Sequence, residues 1–148
     1  MNTKSSNITT QRLLLRGFND TDLENVFLGL SHPDVIKYYG ISFKSIEATR
    51  EQLSWFENLE KNSTGIWWAI CSKDNTCFYG AIGFNNLDQP NKKVELGFWL
   101  LPKYWGKGII SECMPFVCNY AFAELKLHRI EAFVEMLNGL ASPQVATK

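Results

Sequence analysis

The sequence predicts one mixed α+β domain built on a mostly antiparallel central sheet flanked by helices, and three observations carry that prediction. A chain of 148 residues and 16.9 kDa has room for a single buried core, so residues 1–148 read as one domain. Hydrophobic residues make up 45%, charged residues 20% and aromatics 14%, a composition that excludes a disordered chain. Segments of helical period and segments of strand period follow one another as β-α-α-β-β-β-α-β, and the last strand–helix–strand step makes a parallel crossover.

Each element has a local reason. Residues 8–18 (ITTQRLLLRGF) centre on Leu13, Leu14 and Leu15 between Arg12 and Arg16, which reads as one short strand. Residues 19–30 carry Thr21-x-x-Glu24, a capping-box spacing, followed by Leu23, Val26, Phe27 and Leu30 on one helical face. His32-Pro33 breaks that helix; residues 34–39 allow one further turn that Gly40 can end. Between 45 and 62, Ile46, Leu53, Phe56 and Leu59 recur among charged residues behind Ser45 as N-cap, a second surface helix. Residues 66–72 and 77–84 are rich in Trp, Ile, Phe and Tyr, and Asp74-Asn75 between them suits the positive φ angles of a hairpin. Residues 85–93 (NNLDQPNKK) read as turn. Residues 94–101 (VELGFWLL) are apolar on both faces, as a strand buried in mid-sheet should be. A helix is expected over 109–125, kinked at Pro115, and a strand over 128–136 (HRIEAFVEM).

Charge and cysteine usage narrow the function classes. Lys plus Arg and Asp plus Glu number 15 each, so no net field draws the chain to nucleic acid, and any anion must be held by local geometry. Cys71, Cys77, Cys113 and Cys118 form no CxxC pair and show no zinc-ligand spacing with His32 or His128, so they read as packing thiols. No window approaches the roughly 18 apolar residues of a membrane helix and the first residues lack an apolar leader core, which points to the cytoplasm.

The chemically informative stretch joins the mid-sheet strand to the next helix: Leu100-Leu101-Pro102-Lys103-Tyr104-Trp105-Gly106-Lys107-Gly108. Two glycines at i and i+2 before a helix allow backbone N–H groups to converge where the helix dipole is positive, a seat for pyrophosphate. The same spacing also fits a tight β–α turn that needs glycine only for its backbone angles. Neither the GxGxxG spacing of a dinucleotide fold nor the GK[ST] ending of a P-loop is present.

The run VELGFWLLPKYWGKGIISE resembles the acetyl-CoA motif of the GNAT superfamily of N-acyltransferases, whose pattern is Arg/Gln-x-x-Gly-x-Gly/Ala, with Lys103 in the first position and Gly106 and Gly108 matching. TQRLLLRGF at 10–18, LGFWLLP, YWGKG and HRIEAFVE at 128–135 resemble the branch of the ribosomal-protein alanine N-acetyltransferases (RimJ/RimL-like). The resemblance implies a GNAT-like mixed sheet and an acetyl-CoA-dependent N-acetyltransferase that moves acetyl to a primary amine, a protein N-terminus among the candidates, by direct attack without a metal. It places backbone groups of Leu100 and Leu101 along the pantetheine arm and the N–H groups of 106 to 109, ending at Ile109, on the pyrophosphate. Lys103 and Lys107 would add charge, and Asn138 belongs to the same cofactor set. Glu95 is the nearest match to the family's carboxylate base, although a Glu near a strand start beside Lys92 and Lys93 is also a common exposed salt-bridging residue. Trp67, Trp68, Tyr104 and Trp105 either line an acceptor pocket or fill the core; His128 reads as a structural residue at a strand start and His32, next to Pro33, as a turn residue.

The chain departs from the family pattern after residue 135. Asn138-Gly139-Leu140-Ala141-Ser142-Pro143 stands where the family has Asn-x-x-Ser and a long helix, and Ser142 with Pro143 reads as a helix start. A helix and at least one strand are then expected to be missing, leaving the edge of the 128–136 strand bare and favouring a homodimer through this region. The alternatives are a catalytically silent CoA-binding or interaction module completed by a second chain, a fold-back of 138–148 over its own sheet, and a domain with no CoA site.

Overall fold

A computed structural model describes residues 7–33, 45–135 and 141–147. Among these residues seven strands form one sheet in chain order: β1 (Ile8–Thr9), β2 (Leu13–Arg16), β3 (Ile66–Ser72), β4 (Phe78–Asp88), β5 (Lys93–Leu100), β6 (Arg129–Glu135) and β7 (Ala141–Thr147). The helices are α1 (Leu23–Ser31), α2 (Ile46–Lys61) and α3 (Ile109–Ala123). Every adjacent pair is antiparallel except β5–β6, which is parallel because α3 carries the chain back across the sheet.

Period-2 alternation divides the core in two. Leu13, Leu15, Trp68, Ile70, Ile82, Val94 and Leu96 face α3 and pack on Ile109, Cys113, Val117 and Ala121. Trp67, Ala69, Cys71, Ala81 and Trp99 face the other way, onto Val26 and Leu30 of α1 and Phe56 and Leu59 of α2. The α1–sheet contact is close: a Cβ on Gly29 would lie 2.1 Å from Cζ3 of Trp99.

Several local expectations are corrected. The segment 8–18 is a hairpin of two strands, with Ile8 opposite Leu15. The capping box belongs to Asn19 and Asp22: the Asn19 side chain accepts from the Thr21 N–H at 2.9 Å and Asp22 accepts from the Asn19 N–H at 2.9 Å, starting a 3-10 turn ahead of α1. Asp22 also takes a two-pronged bond from Arg16, both contacts at 2.9 Å, so this cap is tied to β2 as the Thr21–Glu24 pair is not. Strand β4 runs through Asn85 to Asp88 because these residues pair with Glu95 and Lys93 around a bulge. Helix α3 runs through Pro115, as read, with that residue at an exposed position. The further turn read over 34–39 and its end at Gly40 lie outside the described residues. Ser45 caps α2 as read, accepting from the Ala48 N–H at 3.1 Å.

The largest correction is at 141–147. Ser142-Pro143 does not start a helix; the segment is strand β7, antiparallel to β6 from Arg129↔Thr147 to Glu135↔Ala141. Pro143 is compatible because β7 lies at the sheet edge, where a residue without an N–H breaks no inner ladder. The β6 edge that the sequence reading left bare is therefore covered by this chain's own residues.

The Gly29 contact yields the first prediction. Gly29→Val gains some helix propensity over glycine but drives a branched three-carbon side chain into the Trp99 ring, and is expected to destabilise the fold by about 1–3 kcal/mol. Denaturant midpoints of the two proteins measure it; equal midpoints would show that Trp99 moves aside without cost.

Candidate functional site

The site begins where the β5–β6 ladder ends. Strand β5 pairs with β4 as far as Gly80↔Leu100, whereas its parallel pairing with β6 stops at Leu96↔Ala132 although both strands run on. The Leu101 N–H donates to the Tyr79 carbonyl at 2.9 Å. Backbone direction alternates along a strand, so the amides of Phe98 and Leu100 face the side that β6 no longer fills. Leu100 thus stands on the gap, and its carbonyl accepts the Trp105 indole N–H at 3.0 Å. Leu101 does not: its N–H is engaged by Tyr79 and its carbonyl accepts the Tyr104 N–H at 2.9 Å, which removes it from the set of backbone partners expected for an extended ligand arm.

Beyond Leu101 a 3-10 turn (Pro102–Tyr104) leads to the two glycines. Gly106 has φ +77° and Gly108 φ +74°, the left-handed region that side chains disfavour. Gly108 is the N-cap of α3, and the first helical bond runs from the Glu112 N–H to its carbonyl at 3.0 Å. The N–H groups of Ile109, Ile110 and Ser111 have no acceptor within the helix, as at any helix start. Beside them a cleft of about 180 Å³ is lined by Arg12, Leu13, Tyr79, Tyr104, Lys107 and Ile109. Lys107 lines that cleft, while the Lys103 ammonium sits 5.1 Å over the ring of Tyr104. Tyr104 meets Tyr79 edge-on at 4.6 Å, so it belongs to this cleft rather than to an acceptor pocket. Asn138 lies outside the described residues.

Glu95 occupies the sheet face toward α1 and α2, since its strand neighbours Val94 and Leu96 point into the α3 core. It is half-buried, opposite Asn85 on β4. The Asn85 side-chain oxygen accepts the Trp67 indole N–H at 2.7 Å, and the Trp67 ring crosses Gly97, whose Cβ would come within 3.2 Å of it. Glu95, Asn85 and Trp67 therefore share one patch, with Trp55 6.3 Å from Trp67. Trp68 is excluded from it: it is fully buried on the α3 face, edge-on to Phe84 and Tyr120. From Glu95 to Leu100 is five residues of strand, about 16 Å, so the patch and the glycine turn lie at opposite ends of the same open-edged strand.

Sequence reasoning gave no role to Thr10, Arg12 and Glu112. Glu112, in the first turn of α3, accepts from Thr10 Oγ1 at 2.5 Å, from the Arg12 N–H at 2.9 Å and from Arg12 Nε at 2.5 Å. About a hundred residues separate the partners, and only the TQR triplet hinted at them. The Thr10 hydroxyl foremost, then the Arg12 amide and guanidinium, hold the Glu112 carboxyl below its ordinary range. Burial pushes the Cys71 thiol up to about 11 and Cys113 up to about 12, which makes both inert packing groups.

The sequence profile of the acetyltransferase (GNAT) domain family matches residues 12–148. The uncharacterized N-acetyltransferase YoaA of Bacillus subtilis is 36% identical over 128 residues, which cover 86% of this chain and 72% of YoaA. Among solved structures, a GNAT-family acetyltransferase from Bacillus anthracis superposes with a TM-score of 0.75 at 29% identity, covering 90% of this chain and 76% of that one. RimL, a ribosomal alpha-N-protein acetyltransferase solved in complex with coenzyme A, shares the fold with a TM-score of 0.75 at 18% identity over 88% of this chain and 76% of its own.

The Glu112 cluster yields a pH prediction. A carboxyl lowered in the folded state contributes stability that is complete above its unfolded value, about 4.3, and is lost as pH falls through the lower folded value. The stability difference between the unaltered chain and Glu112→Gln is therefore expected to be constant near neutral pH and to shrink below about pH 4. Urea titrations across that range measure it; a difference that grew in acid would contradict the assignment.

Proposed function

The chain belongs to the acetyltransferase (GNAT) domain family, and on that premise we propose that it transfers acetyl from acetyl-CoA to a primary amine. The observation that carries this reading is the coincidence, on β5, of an unpaired backbone edge, a turn of two left-handed glycines at its exit and a half-buried carboxylate on the opposite side-chain face. An extended amide-bearing arm can pair with the open edge as an added strand would. The diphosphate would meet the N–H groups of Gly108 and Ile109 at the positive end of α3.

In this reading the amine approaches from the α1/α2 side and Glu95 takes its proton. The neutral nitrogen's lone pair forms the new N–C bond at the thioester carbonyl as that proton leaves, the C–S bond breaks, and the proton passes from Glu95 through solvent to the departing thiolate, with no net proton released. Backbone N–H groups facing the gap stabilise the intermediate oxyanion. On that side the half-buried Trp55 suits the apolar part of an acceptor, while Trp67 is buried and acts through its bond to Asn85. The RimJ/RimL-like motifs support a protein N-terminal α-amine as the narrower acceptor class. A product-detected acetylation screen over small amines, aminated antibiotics and peptide N-termini tests it, and an acceptor profile without peptides would overturn that narrower class.

Two measurements test the site. Acetyl-CoA is expected to raise the melting temperature, because a ligand bound only by the folded state stabilises it. A Cβ at Gly106 would meet nothing within 4 Å and one at Gly108 only Arg12 Nη2 at 3.7 Å, so valine acts there through the backbone angle rather than by collision. Gly106→Val and Gly108→Val are expected to abolish the shift; undiminished binding in both moves the seat elsewhere. Glu95→Gln is expected to lower kcat by about 100-fold or more with CoA affinity unchanged, as removal of a general base does. An unchanged kcat at saturating acetyl-CoA would sink the base assignment.

A further inference from the structure

The guanidinium that binds Glu112 also reaches the glycine turn. Arg12 Nη2 donates to the Lys107 carbonyl at 3.3 Å and lies 3.5 Å from the Gly108 carbonyl. A trans peptide sets its C=O and N–H on opposite sides, and the described residues hold no cis bond. Drawing the Lys107 carbonyl toward Arg12 therefore turns the Gly108 N–H away from it. The Gly108 carbonyl, shared between Arg12 and the Glu112 N–H, turns the Ile109 N–H the same way. Resting on the acetyl-CoA reading above, we propose that Arg12, clamped by Glu112 and Thr10, is a positioning residue that fixes the Gly108 and Ile109 N–H groups toward the diphosphate before it binds.

The geometry favours this over a role in global stability. Strand β2 is already held by its pairing with β3 and by Leu13 and Leu15 in the core, whereas the Arg12 side chain is 53% exposed. An ion pair so exposed adds little to folding. It does join a rigid strand end to a stretch where the backbone runs through two left-handed residues, Gly106 and Gly108. It also gives Glu112, an anion in the first turn beside an anion seat, a partner of opposite charge.

Simple electrostatics and positioning predict opposite signs for one variant. Glu112→Gln removes a negative charge next to the seat, so charge alone would tighten CoA binding. Loss of the clamp weakens it. Calorimetry with CoA on the full chain is expected to show about tenfold weaker binding for Glu112→Gln and at least as much for Arg12→Ala, the scale of a lost charge-assisted hydrogen bond. Arg12→Lys is expected to remain impaired, because a point charge cannot hold Glu112 and two carbonyls at once.

Amide exchange in the free protein reads the clamp without ligand: peptides covering 105–112 should exchange faster in Arg12→Ala and Glu112→Gln, with the rest of the chain unchanged and the melting temperature within a few degrees. Tighter or unchanged CoA binding in Glu112→Gln overturns the proposal, as do full recovery in Arg12→Lys, unaltered exchange at 105–112, or a uniform rise in exchange with a large fall in melting temperature. If the unaltered chain itself fails to bind CoA, the acetyl-CoA reading falls and the exchange data alone decide the clamp.

Discussion

Everything at the site depends on β5 being paired along its whole length on one side and along half of it on the other. Backbone amides inside a sheet need partners, and where a neighbouring strand ceases to supply them a ligand or water must. The crossover topology forces this arrangement. Helix α3 has to begin where β5 ends and return the chain to run parallel beside β5's start. The open edge, the glycine turn and a helix N-terminus consequently fall at one place. A hairpin connection between the same two strands would have closed the gap and put no helix start beside it.

The strand then serves two partners through two kinds of group. Its backbone faces along the sheet, toward the gap, while its side chains alternate between the α3 core and the α1/α2 face. A slip of one residue would bury Glu95 under α3 and turn Leu96 outward, so the register between β4 and β5 is a packing constraint and, on the proposed reading, a functional one. It is pinned by features of the chain itself. Gly83 lies opposite Gly97, and Trp67 lies against both of them. The bulge between Asn85 and Asp88, with Asn86 at φ +54°, takes up the irregularity beyond Glu95. Asn85 is fixed by the bond from Trp67 and so stands opposite the carboxylate in one orientation.

What was legible in the sequence was local. Ser45 as a cap, the Asp74-Asn75 hairpin with Asn75 at φ +62°, the mid-sheet character of residues 94–101 and the two glycines were all readable because their chemistry lies within a few residues. What was not legible depended on a distant partner. Thr21-x-x-Glu24 has the right spacing for a cap, yet Asn19 and Asp22 prevail because Arg16 on β2 fixes Asp22. Ser142-Pro143 has the local form of a helix start, yet an unfilled edge on β6 recruits the segment as strand. Leu101 follows Leu100 by one residue and so faces the opposite way, a distinction that needed the register with β4. The Arg12–Glu112 pair left only the TQR triplet as a trace.

The balance of 15 basic and 15 acidic residues explains why the site has the form it does. A chain with no net field cannot gather a highly charged co-substrate by long-range attraction, so the attraction has to be local and oriented. On the proposed reading the glycine turn meets that need with a helix start, two backbone amides held in place by Arg12, and the side chain of Lys107. The nearby carboxylate of Glu112 already accepts three hydrogen bonds from Thr10 and Arg12. Glu95, the base of the proposed reaction, lies about 16 Å away along the strand and on a different face from the α3 core. On the proposed reading that spacing, longer than the roughly 8–10 Å over which salt screens exposed charges, keeps the diphosphate and the carboxylate from opposing each other.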